Sequence, residues 1–354
     1  MADHAAGAPR LLGVATALPP YRYGQAEAKA GAARLFEGAF SDLERLLPLF
    51  DRTGIDSRWS CVPLDWYEAP HGFGERNRLY LEHAEALLLE AARAALDRAG
   101  LTPAEVDGVV TVSSTGIATP SLEARLADRL GLAPTVERTP LFGLGCAGGV
   151  LGLSRAAALA RARPGARVLL LVVELCALTL RHADRSKANL VACALFGDGA
   201  AAAVVSTAGE GPRLGASGEH RWPDTLDVMG WTLADDGLGV LFSIEVPNVI
   251  RAGLPAAAGA FLAGAGLAPA DVDRWICHPG GAKVLVALAE GLGLDDGGLA
   301  SAREVLRECG NMSAPTVLFV LERELRRGDW RRGAMVAVGP GFSAGFLLVE
   351  ADGG

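Results

Sequence analysis

The chain is short of aromatic residues, of cationic charge and of clustered cysteine, and each shortage removes a class of function. Phe, Trp and Tyr make up 6% of its 354 residues while Ala and Gly are plentiful, which points to a helix-rich α/β enzyme and away from an all-β module. Lys and Arg number 33 against 41 Asp and Glu, a formal charge of −8. No local basic cluster offsets that balance, so nucleic acid is not an expected partner. Long apolar runs are also missing. The strongest, Val168 to Leu180, is short and carries Glu174, so it does not read as a membrane span. The first residues, Met1 to Gly7, show no basic segment followed by an apolar one, and no export signal is expected. The six cysteines (61, 146, 176, 193, 277 and 309) lie far apart without a CxxC spacing. Neither a disulfide frame nor a zinc site is indicated, and reduced thiols in the cytoplasm are the expectation.

What is present is core material and a repeat. Half of the residues are apolar and 21% are charged, which excludes disorder for most of the chain. The length allows two domains or one large two-part unit. Ala99-Gly-Leu-Thr-Pro-Ala-Glu-Val-Asp107 is echoed by Ala265-Gly-Leu-Ala-Pro-Ala-Asp-Val-Asp273. Gly165-Ala-Arg-Val168 is echoed by Gly333-Ala-Met-Val336, and Gly145-Cys146 by Gly310-Asn311, at nearly the same offset. Internal self-similarity of this kind signals two halves of similar fold. The join is expected near Ser206 to Gly218, where Gly, Pro and Ser concentrate, giving halves 1–206 and 207–354.

Strands and helices alternate in each half. Strands are predicted over Arg10–Ala17, Val109–Ser113, Val168–Val173, Ala200–Val205, Trp275–His278, Met335–Val338 and Gly345–Val349. Helices are predicted over Glu82–Arg98, Leu122–Leu130, Gly148–Arg161, Val249–Gly264, Ala282–Gly291 and Thr316–Arg326. Continuous apolar strands suit sheets covered on both faces.

Three residues could carry chemistry. Cys146 sits in Gly143-Leu-Gly-Cys-Ala-Gly-Gly149, where glycines permit a tight turn. The apolar helix that follows would place its positive end beside the sulfur and lower the thiol pKa. A buried core cysteine is the alternative. The same stretch satisfies GxGxxG, but no acidic residue follows at the spacing a dinucleotide site needs. His278, in Cys277-His-Pro-Gly-Gly281, ends a predicted strand at a stiff turn, where α/β enzymes place working residues. Asn311, in Cys309-Gly-Asn-Met-Ser313, precedes an apolar helix. It reads as an N-cap or, through the repeat, as the counterpart of Cys146. A thiol with an imidazole and an amide donor can attack a thioester and stabilise an oxyanion.

These motifs resemble the chalcone synthase family, the type III polyketide synthases of the thiolase superfamily. Besides the three sites, the matching pieces are Ala194-Leu-Phe-Gly-Asp-Gly-Ala200 and Gly339-Pro-Gly341, and the resemblance runs from about Leu11 to Glu350. It implies a layered αβαβα thiolase fold of two similar halves and a homodimer. It implies acyl-CoA and malonyl-CoA as substrates, with no bound metal or organic cofactor. By carry-over, Cys146 would hold the growing chain as a thioester, and His278 and Asn311 would stabilise the malonyl-derived enolate. Phe196 would lie against the malonyl carboxylate. Cys176, Thr179, Val240, Thr119 and Ser313 would line the substrate pocket, and Arg52 and Arg58 would match the basic stretch that meets the coenzyme A phosphates.

Some positions depart from the plant pattern. Ala337-Val-Gly-Pro-Gly341 replaces a stretch that carries Phe in plants, and small side chains stand at Val240, Cys176 and Thr119. That trend resembles bacterial members with fatty acyl starters. The reading is therefore a type III polyketide synthase that loads a fatty acyl-CoA starter on Cys146, extends it with malonyl-CoA by decarboxylative Claisen condensation, and closes an α-pyrone or resorcinol-type ring. The alternatives are a ketoacyl-ACP synthase III-like enzyme that condenses once, and a non-catalytic acyl-binding subunit of the same fold.

Overall fold

The structure, a computed structural model, describes residues 7–295 and 297–351. Met1 to Ala6, on which part of the export-signal reading rests, lie outside the described residues. The strands in chain order are β1 (Arg10–Ala17), β2 (Tyr21–Gly24), β3 (Ser57–Ser60), β4 (Gly108–Val112), β5 (Glu137–Leu141), β6 (Val168–Leu175) and β7 (Asp198–Ser206). They continue with β8 (Arg213–Arg221), β9 (Met229–Ala234), β10 (Gly237–Phe242), β11 (Arg274–Cys277), β12 (Arg332–Gly339) and β13 (Ser343–Glu350). The helices are α1 (Gln25–Leu35), α2 (Leu43–Leu46), α3 (Phe73–Ala99), α4 (Leu122–Leu130) and α5 (Gly148–Ala162). After them come α6 (Lys187–Leu195), α7 (Val246–Gly264), α8 (Ala282–Leu292), α9 (Ala300–Cys309) and α10 (Thr316–Arg327).

The repeat in the sequence is a repeat in space. One half orders its strands β1-β7-β6-β4-β5, the other β8-β13-β12-β11. The corresponding pairs match in sense: β4 runs parallel to β6 and β11 parallel to β12, while β6–β7 and β12–β13 are antiparallel. The Thr-Pro-Ala-Glu and Ala-Pro-Ala-Asp echoes are one device used twice. Each forms a single 3₁₀ turn in which an acidic side chain reaches back to a backbone N–H: Thr102 to Glu105 at 2.8 Å, and Ala268 to Asp271 at 2.8 Å. The two sheets touch edge to edge only at Arg10 and Arg213, which makes nine strands continuous. The segment read as a join is therefore shorter than expected, because residues from Arg213 onward extend β8.

Helices fill three layers around those strands. Between the sheets lies α5, against β4, β6 and β7 on one side and β12 and β13 on the other, with α10 beside it. On one outer face α3 covers β1, β6 and β7; on the other α7 packs on β8, β13 and α8. The layering is αβαβα, and β6 and β7, covered on both sides, are buried along their whole length. The helix Val246–Gly264 is long and apolar enough to cross a membrane, and only a third of its apolar window is buried. Its place is in the outer layer. The predicted elements lie within a few residues of the observed ones apart from α3, which starts nine residues earlier than expected, at Phe73 and not Glu82; α1, α6, α9 and β8 are not among the predicted ones.

Candidate active site

In the first half Cys146 follows β5 and Phe196 follows α6; in the second His278 follows β11 and Asn311 follows α9. Cys146 occupies a single 3₁₀ turn, Gly145–Ala147, that runs directly into α5. Gly145 has φ +46°, and a Cβ there would lie 2.6 Å from the Pro340 ring, so only glycine allows this approach. His278 follows β11. Its N–H donates to Val336 O at 2.8 Å, which carries the β11–β12 pairing one residue further. The Asn311 amide is pinned from both ends: Nδ2 donates to Gly280 O at 3.1 Å and Oδ1 accepts from Ser313 N at 2.8 Å. An amide has two N–H hydrogens, so one remains for a substrate oxygen.

Asn311 does not cap α10. Pro315 stands at that position, and Asn311 lies five residues before the helix begins. The intervening Ser313 adopts a left-handed conformation, φ +57°, unusual for a residue with a side chain. Its carbonyl oxygen accepts from Thr316 Oγ1–H at 2.8 Å, and its own hydroxyl sits 3.4 Å from Cys146 Sγ. This backbone kink delivers Ser313 to the sulfur, as strain at working sites commonly does.

The electrostatics correct one expectation. Burial pushes the Cys146 thiol up to about 11, outweighing the hydrogen bonds from Ser313 and Asn311 that pull it down; the charge of Glu174 raises it further. Burial also pushes His278 down to about 3, and neither ring nitrogen has a partner among the described residues. The free site therefore holds a neutral thiol and a neutral imidazole, not the thiolate that a helix dipole alone would favour. A neutral imidazole keeps two functions, one nitrogen able to accept a proton and one N–H able to donate.

Cys146, His278, Asn311, Ser313, Phe196, Cys176 and Val240 line one chamber of about 40 Å³. Trp231 joins them, meeting Phe196 edge-on with ring centroids 6.2 Å apart. Trp231 and Met229 were missed in the sequence, although the Asp235-Asp236-Gly237 turn between two apolar runs marks the β9–β10 hairpin that carries them. Phe196 and Cys176 also line a second, larger cavity of about 250 Å³ between α1, α6 and the turn that follows β6, whose wall also carries Arg34, Glu68, His182 and Arg185.

Three expected pocket or coenzyme A residues sit elsewhere. Thr179 is buried and its hydroxyl donates to Cys176 O at 2.7 Å, so it closes the turn and lines neither chamber. Thr119 is exposed in a surface loop and lines neither chamber of its own chain. Arg58 is 1% exposed, and its guanidinium donates to Gln25 and to the carbonyls of Cys193, Ala194 and Phe196. It cannot meet a phosphate. A basic residue in a polar stretch reads as surface, and only the packing shows that it points inward. Arg52 is exposed and pairs with no acidic side chain among the described residues.

Two buried carboxyls frame the chamber. Glu174, at the end of β6, accepts from Ser114 N at 2.9 Å, Ser114 Oγ at 2.8 Å and Thr115 Oγ1 at 2.8 Å. Asp198 opens β7 and accepts from Cys61 N at 2.9 Å and Ala177 N at 2.8 Å, while burial raises it to about 6. Both tie separate loops to the sheet edge, which keeps the chamber wall in place.

Comparison with known proteins agrees along the whole chain. Residues 67–209 match the family model described as chalcone and stilbene synthases, N-terminal domain, and residues 214–352 match the C-terminal domain model. A 1,3,6,8-tetrahydroxynaphthalene synthase of Streptomyces peucetius subsp. caesius is 43% identical over 95% of this chain and 92% of its own. A putative chalcone synthase of Bacillus subtilis (strain 168) is 37% identical over 97% and 99%. The crystal structure of 1,3,6,8-tetrahydroxynaphthalene synthase from Streptomyces coelicolor A3(2), a bacterial type III polyketide synthase, superposes with a TM-score of 0.93 at 30% identity, covering 98% of this chain and 100% of that one.

Proposed function

The chain belongs to the chalcone and stilbene synthase family and is a malonyl-CoA-dependent type III polyketide synthase, and from that premise we propose that its starter is a fatty acyl-CoA taken up by Cys146. Cys146 Sγ attacks the thioester carbonyl, its proton passes to His278, and coenzyme A leaves as the thiol. Malonyl-CoA then binds with its thioester oxygen toward His278 and Asn311. The bond to the carboxylate breaks, CO2 leaves, and the electron pair develops charge on that oxygen, where the two donors stabilise it. Phe196 excludes water from the departing carboxylate. The carbanion attacks the Cys146 thioester carbonyl, the bond to sulfur breaks, and Cys146 leaves and is reprotonated from water; the lengthened chain, now on coenzyme A, returns to Cys146 for further rounds and ends as an α-pyrone or a resorcinol-type ring. Residues 1–206 supply the nucleophile and residues 207–354 the two donors.

One observation carries the choice of starter. The Cys146 chamber, about 40 Å³, has room for a few water-sized groups, whereas the larger cavity that shares Cys176 and Phe196 with it offers about 250 Å³ between apolar side chains such as Ala28, Leu35 and Leu180, with Arg34, Glu68 and Arg185 also on its wall. An alkyl chain fits the second and not the first. Each methylene buried there contributes about 0.8 kcal/mol. The rival reading, an all-malonyl product, is favoured by the 43% relative, whose named product is a naphthalene with no alkyl tail. Arg52, exposed beside α1, suits the coenzyme A phosphates. A homodimer is supported by the apolar side chains of Ile117 and Phe142, 48% and 63% exposed near the Cys146 and Thr119 loops. A cytoplasmic setting is supported by six free cysteines.

Mass spectrometry of products from labelled malonyl-CoA, alone and with C2 to C16 acyl-CoAs, tests the starter. Alkylated ring products that dominate when long acyl-CoAs are supplied support the reading. Conversion of malonyl-CoA alone, with long chains untouched, replaces it with the naphthalene reading. Cys176→Phe is expected to shorten the preferred chain while Cys146 alkylation keeps its rate.

A further inference from the structure

Arg58 is a buried cation whose side-chain hydrogen-bond partners are all neutral. The C-terminus of α6 leaves carbonyls with no partner inside the helix, as every helix end does. Arg58 takes three of them: Nη1 donates to Cys193 O and to Phe196 O, the latter at 3.2 Å, and Nη2 donates to Ala194 O at 2.7 Å. Gln25 accepts from Nη2 and itself donates to Ala194 O at 3.0 Å. The one carbonyl between them, Leu195 O, accepts from Asn311 N at 2.9 Å, and Gly197 N donates to Asn311 O at 3.0 Å. Phe196 and Asn311 thus form a two-residue parallel bridge between the two halves of the molecule. The bridge needs close backbone contact, since a Cβ on Gly197 would lie 2.6 Å from Cys309 O. Cation, helix end, Phe196 and Asn311 are a single hydrogen-bonded unit.

We infer that Arg58 is a positioning residue for malonyl decarboxylation: by clamping the last turn of α6 it holds Phe196 and, through the bridge, Asn311 in the register the reaction needs. The inference rests on the roles proposed for Phe196 and Asn311. It separates the two half-reactions, because Cys146 lies on the turn before α5 and the one member of the unit that reaches its sulfur, the Asn311 side chain, lowers its pKa less than Ser313 does. Loss of the clamp should slow decarboxylation and leave acylation of Cys146 alone.

Arg58→Met is the test, scored against wild type and Asn311→Ala. The expected result is a fall in kcat for malonyl-CoA decarboxylation of about 10²-fold, the scale of a misplacement of about 1 Å. The KM for malonyl-CoA, the iodoacetamide alkylation rate of Cys146 and starter loading should stay near wild type. Arg58→Lys, with three donors for the same carbonyls, should recover part of the loss. Wild-type kcat in Arg58→Met overturns the inference. So does a parallel fall of decarboxylation, alkylation and loading, which marks a general packing role. Where Arg58→Met does not fold, Gln25→Leu, which removes one acceptor of the guanidinium, should show a smaller fall confined to decarboxylation, and a fall in every step overturns the inference again. If Asn311→Ala decarboxylates at the wild-type rate, the functional reading falls and the inference with it. A slow Asn311→Ala beside a fast Arg58→Met removes the inference alone.

Discussion

The two halves share strand order and the same capped 3₁₀ turn before a corresponding strand, β4 in one and β11 in the other, yet they present their working residues differently. In the first half Cys146 runs straight into α5, so the sulfur stands at a helix head. In the second, Asn311 is set five residues back from α10, behind the left-handed Ser313, and is held by backbone pairing to Leu195 and Gly197. A common frame therefore supplies two kinds of site. A nucleophile needs exposure to substrate and one strained turn. A hydrogen-bond donor needs a fixed direction, and the longer loop supplies the bonds that fix it.

The largest effect should come from the first half. Cys146→Ala is expected to abolish starter loading and all chain extension, while malonyl decarboxylation persists because its donors belong to the second half. Intact-protein mass spectrometry and release of labelled CO2 read both steps. Chains longer than the starter in this variant would remove the covalent mechanism. Next, Asn311→Ala should cut decarboxylation by about 10²–10³-fold, the usual cost of one oxyanion donor. Iodoacetamide should still alkylate Cys146 normally, and in wild type that alkylation rate should keep rising with pH through 9, because the thiol is pushed up to about 11. A plateau near neutrality would indicate a thiolate–imidazolium pair.

The third effect compares His278 with Asp198, one buried titratable group from each half. His278 is held down to about 3 from 6.5, so the unfolded chain binds a proton there first. Its contribution makes stability fall as pH drops from about 6.5 toward 3, by up to about 1.4 kcal/mol per pH unit. Asp198 is raised to about 6 from 3.8, so the folded chain binds the proton first and stability rises as pH drops through that window. The two oppose each other between about pH 4 and 6. Urea titrations should show a flatter acid loss in His278→Asn and a steeper one in Asp198→Asn. Equal slopes in both variants and wild type would leave neither group in its assigned state. The smallest effect should be that of Glu105→Ala and Asp271→Ala. Each removes one copy of the repeated cap, and similar small drops in Tm are expected. A drop in only one would show that the repeat has lost its role in the other half.

Local chemistry was enough for much of this. The echo at Ala99–Asp107 and Ala265–Asp273, the glycine frame of Cys146 and the Pro-Gly-Gly turn after His278 are patterns of neighbouring residues, and backbone geometry follows from neighbours. The apolar runs of β6 and β7 likewise announce strands covered on both faces. What only the tertiary structure decided concerns residues whose surroundings come from far along the chain. Arg58 lies in a polar stretch and reads as a surface cation, but carbonyls about 135 residues away take it into the core. Thr179 closes its own turn, Trp231 enters the chamber on a hairpin, and Phe196 meets Asn311 across the two halves. The proton state of the Cys146–His278 site belongs to the same class. A helix head, visible in the sequence, lowers a thiol pKa, whereas burial, assembled from both halves, raises it, and here burial is the larger effect.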